Sequence, residues 1–415
     1  MKKLLPIKDS LANKISYYHL LLLLASLPFD RFYSHIILIS FAVHTLIQLD
    51  KQRFKSAFNW RTLWLQSVFF ITVISTIYTA WKPEAYSEWG KQIPILLIPL
   101  LFCFTQLDIK KYKAPLLLGF ALICTATVVY LYFDAFRTIR FYKLPYSSIF
   151  SAAFTNHNFS EPIDMHATFF SMQLVIALVY LISILIQNQS VYYRILYCIC
   201  CCILLAGLLQ LCSKTIFFCL LIIINIAIPF FQLKGYKRWK FVLTTASITA
   251  VLMIGIFRLN TFKERYITDL RTDLTQKSTA TTTDSRLDRW RAAEGLIVKS
   301  PIIGYGAGSE IGLLHQVYFS KKYYSSFLNK LNVHNQYLSF LLKSGLIGLL
   351  IYIATLTFGF RAALAQKDLL FFTFMLLIAM VSFAENYLDV DKGVCFYAFF
   401  FSFFVIYPPV KAPAF

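Results

Sequence analysis

Residues 166–187 read HATFFSMQLVIALVYLISILIQ, without one aspartate, glutamate, lysine or arginine. At about 1.5 Å of rise per residue, a helix over this stretch spans the roughly 30 Å of hydrocarbon in a bilayer. Eleven further apolar runs lie on either side of it, with little between them. They fall near 15–29, 32–49, 62–80, 89–105, 114–133, 195–212, 215–232, 241–257, 336–359, 368–384 and 393–407. Hydrophobic residues make up 58% of the 415 positions and charged residues 14%, a balance that a water-soluble surface does not allow. The expected fold is all-α, a polytopic membrane bundle of twelve transmembrane helices. The first run is short, but no small-residue cleavage site follows it, and Pro28, Phe29 and Asp30 lead straight into the next. It is therefore read as a span and not as a cleaved leader.

Orientation follows from lysine and arginine in the short connections, since these resist translocation. With the N-terminus inside, Lys2, Lys3, Lys8 and Lys14 are cytoplasmic. So are the basic groups of 51–61, 110–113 and 234–240, with Arg194, Arg361, Lys367 and Lys411. The short outer connections keep only Arg31, Lys82, Lys91, Arg137, Arg140, Lys143, Lys214 and Lys392. Both termini are thus expected inside, and the one long hydrophilic break, 258–333, outside, in the periplasm. The chain divides into spans one to nine (1–257), a large outer loop with short helices (258–333) and spans ten to twelve (334–415), all one integrated domain. The formal charge of +20 is mostly this topology signal, and no basic reading head for nucleic acid accompanies it. All nine cysteines fall in apolar runs, so no disulfide framework is expected. Cys198, Cys200, Cys201 and Cys202 point to different sides of a helix and cannot converge on one metal ion.

The loop opens with Phe262, Tyr266, Leu270 and Leu274 at four-residue spacing among charged residues, an amphipathic helix for the membrane boundary. A polar tract, 278–284, links it to Ser285-Arg286-Leu287-Asp288-Arg289-Trp290-Arg291, where Asp284 or Ser285 can cap a helix running to about Lys299. Cations at a helix start oppose the macrodipole, so helix stability does not account for three arginines there. Arg286 and Arg289, three apart, share a face and with the free N–H groups can clamp a phosphate or pyrophosphate; the bland alternative is solvated arginines. Gly304, Gly306 and Gly308 have neither a preceding strand nor a following Lys-Ser/Thr pair, so a tight turn against a neighbouring helix suits them better than a nucleotide loop. His334 lies at the outer mouth of the tenth span, where a group titrating near neutrality suits a general base.

Ser285, Arg286 and Trp290, then Pro301, Gly304 and Gly306, then His334, Asn335, Tyr337 and Leu338 form three motifs in one late outer loop. In this order and place they resemble the O-antigen ligase and polymerase superfamily. The resemblance implies a GT-C-like integral-membrane glycosyltransferase of the bacterial inner membrane, inverting and independent of metal or other cofactors. Its donor would be a glycan on undecaprenyl pyrophosphate. A ligase transfers that glycan to lipid A-core; the alternative, a polymerase, extends another lipid-linked glycan. Carried over residue by residue, the family's loop arginine is Arg286 and its histidine His334. Its second basic residue falls on Lys214, where lysine keeps the charge and loses the bidentate fork of arginine. Glu385, at the end of the eleventh span, can orient His334 or Arg286, and Arg289 can add to substrate binding. Arg140, Lys143, His157 and Glu161, between the fifth and sixth spans, are candidates for the acceptor side. A lipid-linked-glycan transporter is the rival from another class. It would call for ionisable residues deep in the spans, whereas here they gather at the outer ends and in the loop.

Overall fold

The computed structural model describes residues 7–187, 190–258, 263, 267–268, 271 and 284–408. Among these, all regular structure is helical. In chain order the principal helices are α1 (Leu11–Ser26), α2 (Arg31–Ile47), α3 (Trp60–Ser75), α4 (Lys82–Phe104) and α5 (Ile109–Phe141). There follow α6 (Ala167–Ile186), α7 (Val191–Leu211), α8 (Lys214–Gln232, with a π-helical turn at Ile223–Ala227) and α9 (Gly235–Phe257). The last are α10 (Arg286–Ile297), α11 (Ser309–Ser320), α12 (Gln336–Gln366), α13 (Leu369–Val381) and α14 (Asp391–Ile406). Five of them, α5, α6, α7, α8 and α12, are long and apolar enough to cross a membrane; α2 and α13 are shorter apolar helices. The amphipathic stretch through Phe262, Tyr266, Leu270 and Leu274, and the polar tract apart from Asp284, lie outside the described residues.

A helix overlaps each of the twelve apolar runs; several extend well past the run that predicts them, and others stop short, as α3 does at Ser75 in the run 62–80. Helix α5 continues to Phe141 and α4 begins back at Lys82, because residues outside the apolar run can still extend the i→i−4 backbone ladder. Hydropathy marks the apolar interior of a helix and not its ends.

The core is built on α6 and α14. Nearly every residue of α6 from Ala167 to Leu181 is buried, and in α14 so are Phe396, Phe399, Phe400, Phe401, Phe403 and Phe404. The α14 phenylalanines interlock with neighbouring helices: Phe102 meets Phe399 at 5.4 Å, Phe120 meets Phe400 at 5.1 Å and Phe371 meets Phe404 at 5.4 Å. Such offset and edge contacts add about 0.5–1.5 kcal/mol each beyond burial. The outward faces of α2, α3 and α9 stay apolar, with Ile39, Leu63 and Val251 more than half exposed. With the five long apolar helices, this surface is that of a membrane protein.

One helix is broken, and the break is filled. Gly345 in α12 has φ +62 and ψ −162, outside helical geometry. The 301–308 turn seats its backbone in the gap: Tyr305 and Gly306 N–H donate to the Leu342 and Lys343 carbonyls at 2.9 and 2.7 Å. In return, Leu346 N–H donates to Pro301 O at 2.8 Å, and Ile347 N–H to Ile302 O at 3.3 Å. Exposed to lipid, those freed groups would each cost several kcal/mol; here the turn satisfies them. A Cβ on Gly345 would run into the Ile302 carbonyl, and one on Gly304 would lie 2.6 Å from Leu342 O. The three loop glycines thus form a turn packed on helices, as their spacing suggests. Gly345→Val is expected to destabilise the protein by about 3 kcal/mol or more. Thermal unfolding in detergent, with wild type alongside, checks this.

Candidate active site

His334 ends the loop segment one residue before Asn335, the N-cap of α12, whose Oδ1 accepts from Tyr337 and Leu338 N–H at 3.0 and 3.1 Å. Its backbone is left-handed, φ +50, a region that costs a side-chain-bearing residue of order 1–3 kcal/mol. Neighbouring bonds hold it there. Asn332 Oδ1 accepts the His334 N–H at 3.0 Å, Asn335 N–H donates to Asn386 Oδ1 at 2.8 Å, and Gln336 N–H donates to Ser382 O at 2.7 Å. The connection between α13 and α14 is thereby stitched to the start of α12, and it carries Glu385 to His334.

Glu385 joins the two residues that the motifs single out. Its Oε2 lies 3.0 Å from His334 Nδ1, and its Oε1 lies 3.5 Å from an Arg286 guanidinium nitrogen. Burial works to raise its pKa, but the hydrogen bond from His334 and the positive fields of His166, His334 and Arg286 hold it down to about 2. As a carboxylate it takes the Nδ1–H of His334, which leaves the Nε2 lone pair for a proton.

The three arginines of α10 have three different partners. Arg286 faces Glu385; Arg289 is buried and donates to Asp284 O at 3.3 Å; Arg291 lies 3.6 Å from Asp288. Ser285 is the cap: its Oγ accepts Asp288 N–H at 3.1 Å and donates to Asp288 Oδ2 at 2.8 Å. Asp288 in this first turn also offsets the unfavourable dipole of the arginines. Asp284 Oδ2 accepts Ser326 N–H at 2.7 Å, which folds the loop segment onto itself. Arg286 therefore meets Glu385, which also holds His334, while Arg289 is turned into the loop.

Lys214 opens α8. The preceding Ser213 donates through Oγ to Thr168 Oγ1 at 3.4 Å, so the starts of α6 and α8 lie side by side. His166, just before α6, caps that helix by accepting Thr168 N–H at 3.3 Å on Nδ1. Although the apolar run takes it in, His166 lies outside the helix and packs on His157 with ring centroids 4.2 Å apart. Burial pushes its pKa down to about 4; Glu385 opposes this, and His157, His334 and Arg286 reinforce it. His166 thus lies within electrostatic reach of the Glu385 cluster. No motif marks it in the sequence.

Both depressions carry the same sign for stability. The unfolded chain takes up the His166 proton near 6.5 and the Glu385 proton near 4.5, each above the folded value. Stability is full above those unfolded values. It is lost as pH falls from about 6.5 to 4 for His166, and from about 4.5 to 2 for Glu385. The melting temperature is expected to fall when pH is lowered from neutral towards 4, and His166→Gln to flatten the upper part of that curve.

Behind the cluster lies a second charged group that composition does not reveal. Lys343, buried in α12, lies 2.8 Å from Asp389 and 3.4 Å from Glu88. Glu310 of α11 accepts from Val333 N–H and Asn386 Nδ2, each at 2.9 Å, and from the Ser339 hydroxyl. Burial raises the Glu310 carboxyl above its usual range. This network braces the His334 and Glu385 segments against each other and departs from the expectation that charge stays at span ends. The one available signal is Lys343 itself, a cation inside an apolar run, which needs buried partners. Asp389 is bonded to Lys343 and Asp391 to Arg31, so of the three acids in that turn only Glu385 meets the motif residues.

A family model described as O-antigen ligase matches residues 198–353. A curated relative from Haemophilus influenzae, described as an uncharacterized protein, is 29% identical over 155 residues. That stretch is 35% of this chain and 38% of the relative, so the chain spans well under half of that protein's length. The family match holds Lys214, Arg286 and His334 and stops short of Glu385. Over this segment the chain is similar to the O-antigen ligase family.

Proposed function

We propose that the protein is an inverting glycosyltransferase that moves a glycan from undecaprenyl pyrophosphate to a lipid A-core hydroxyl at the periplasmic face of the bacterial inner membrane. The observation that carries this reading is the Arg286–Glu385–His334 cluster, one anionic orienter between a cation and a base. The match to the O-antigen ligase model supports ligase- or polymerase-type chemistry on lipid-linked glycans. The lysine and arginine distribution supports twelve crossings with this end of the bundle outside.

In the proposed step the acceptor oxygen attacks the anomeric carbon as the carbon–oxygen bond to pyrophosphate breaks. The bonding pair leaves on the pyrophosphate, and the hydroxyl proton passes to His334 Nε2. Glu385 holds the ring in the right tautomer and stabilises the imidazolium that forms. Arg286 spends one edge on Glu385 and keeps other N–H donors for the leaving phosphate. Lys214 adds a second positive charge. With these two cations the step needs no metal, and one in-line displacement inverts the anomeric centre.

The test is direct. Purified protein in nanodiscs, given a glycan on undecaprenyl pyrophosphate and lipid A-core, is expected to release undecaprenyl pyrophosphate and label the core. No release by wild type overturns the enzyme reading. Longer lipid-linked chains with the core unlabelled would identify a polymerase.

A further inference from the structure

A cavity of about 370 Å³ opens beside His166, lined by Asp30, Arg31, Asp164, Asp391 and Lys392. No residue of the 284–333 segment lines it. Clefts for small molecules occupy roughly 300–1,000 Å³, so this one suits a sugar residue or two.

Its charges are already organised. Arg31 lies 2.8 Å from Asp391, and Lys392 donates to the Asp164 carbonyl and lies 3.4 Å from its carboxylate. Three carboxylates face two cations, so the lining is close to neutral and rich in both donors and acceptors. Phe169 adds an aromatic face, its centroid 4.8 Å from that of the His166 ring. Neighbouring hydroxyls of a sugar ring ask for donors and acceptors in alternation, and its C–H face packs on an aromatic ring. A pyrophosphate asks for an excess of positive charge, which this lining does not offer, and neither Arg286 nor Lys214 is part of it.

Position supplies the rest. The cavity is built from the far end of the turn that carries Glu385, and from the starts of α2 and α6. Arg286 comes to Glu385 from α10, in the loop segment. An in-line displacement needs the attacking hydroxyl opposite the leaving group. His166 borders the cavity and lies within the field of Glu385, His334 and Arg286. Its Nδ1 is occupied by the Thr168 N–H, so the neutral ring carries its proton on Nε2, and that donor has no bond to another described residue.

Resting on the glycosyltransferase reading, we infer that this cavity is the acceptor subsite, and that it takes an uncharged, polyhydroxylated sugar which His166, Arg31, Asp391 and Lys392 orient towards His334.

The experiment uses the full chain in nanodiscs, an undecaprenyl-pyrophosphate glycan as donor, and two matched oligosaccharide acceptors ending in a neutral hexose or in the corresponding uronic acid. Wild type is expected to show a KM for the neutral acceptor about tenfold below that for the uronate, the scale of one unfavourable buried charge contact. Equal values, or a preference for the uronate, overturn the inference. Lys392→Met and Arg31→Gln are each expected to raise the neutral-acceptor KM about tenfold with a much smaller change in donor KM, and Arg31→Lys to recover part of the loss. An unchanged acceptor KM in well-folded variants, or an equal rise in donor KM, assigns the cavity to something else. The wild-type comparison decides if a variant does not fold. Failure of wild type to release undecaprenyl pyrophosphate at all strikes the underlying enzyme reading instead.

Discussion

Replacing His334 by alanine is expected to slow glycan transfer by about 10²- to 10⁴-fold, the usual contribution of a positioned general base. The fold should survive. His334 bonds through its side chain to Glu385, while its backbone position is kept by Asn332, Asn386 and Ser382. Glu385 is not left alone either, because Arg286 remains at 3.5 Å. The loss should therefore appear in kcat with little change in donor KM. Undecaprenyl pyrophosphate release in single-turnover mode, with melting temperature as a control, measures it. Full activity in a folded His334→Ala protein would remove the base from the mechanism.

Arg286→Ala is the second large effect, expected at about 10²- to 10³-fold in kcat, the scale of losing a group aimed at developing negative charge. Arg286→Lys should fall between, since it restores the charge without the planar fork. Lys214 makes this comparison informative, being itself a lysine where the resemblance implies an arginine. If Arg286→Lys matched wild type, neutralisation alone would account for the role. If it were as poor as alanine, bidentate contact with phosphate would be essential. Either outcome is read from kcat and donor KM with the same lipid-linked donor.

What could be read in the sequence was whatever is local. Hydrophobic runs mark helices because the length of an apolar stretch is a property of consecutive residues, and α6 matches its run within a residue or two. Ser285 as a cap is equally local. Arg286 and His334 stand out through motif order, and Glu385 through its place at a helix end. His166 was hidden: its relation to Glu385 crosses more than two hundred positions, and nothing around it in the chain differs from an ordinary helix start. Glu88 and Glu310 were hidden for the same reason: Lys343 alone marks the network in the chain, and its partners come from α4 and the α13–α14 turn. Arg289 shows the converse. Helical spacing puts it on the face of Arg286, but side-chain length and the nearby Asp284 carbonyl decide where its guanidinium ends. Periodicity constrains Cα positions and leaves the last few ångströms of a long side chain to tertiary packing.

The seam between the 301–308 turn and the break at Gly345 has an evolutionary consequence. Its four hydrogen bonds run from main chain to main chain. Apart from the glycines, whose lack of a side chain lets the two backbones meet, no residue identity is written into the join. Side chains of the neighbouring loop can therefore drift, lengthen or change charge while Arg286 and His334 keep their anchorage. A scaffold of this kind separates what must stay fixed from what can diversify, and so would let the proposed catalytic apparatus be refitted to new glycans without being rebuilt.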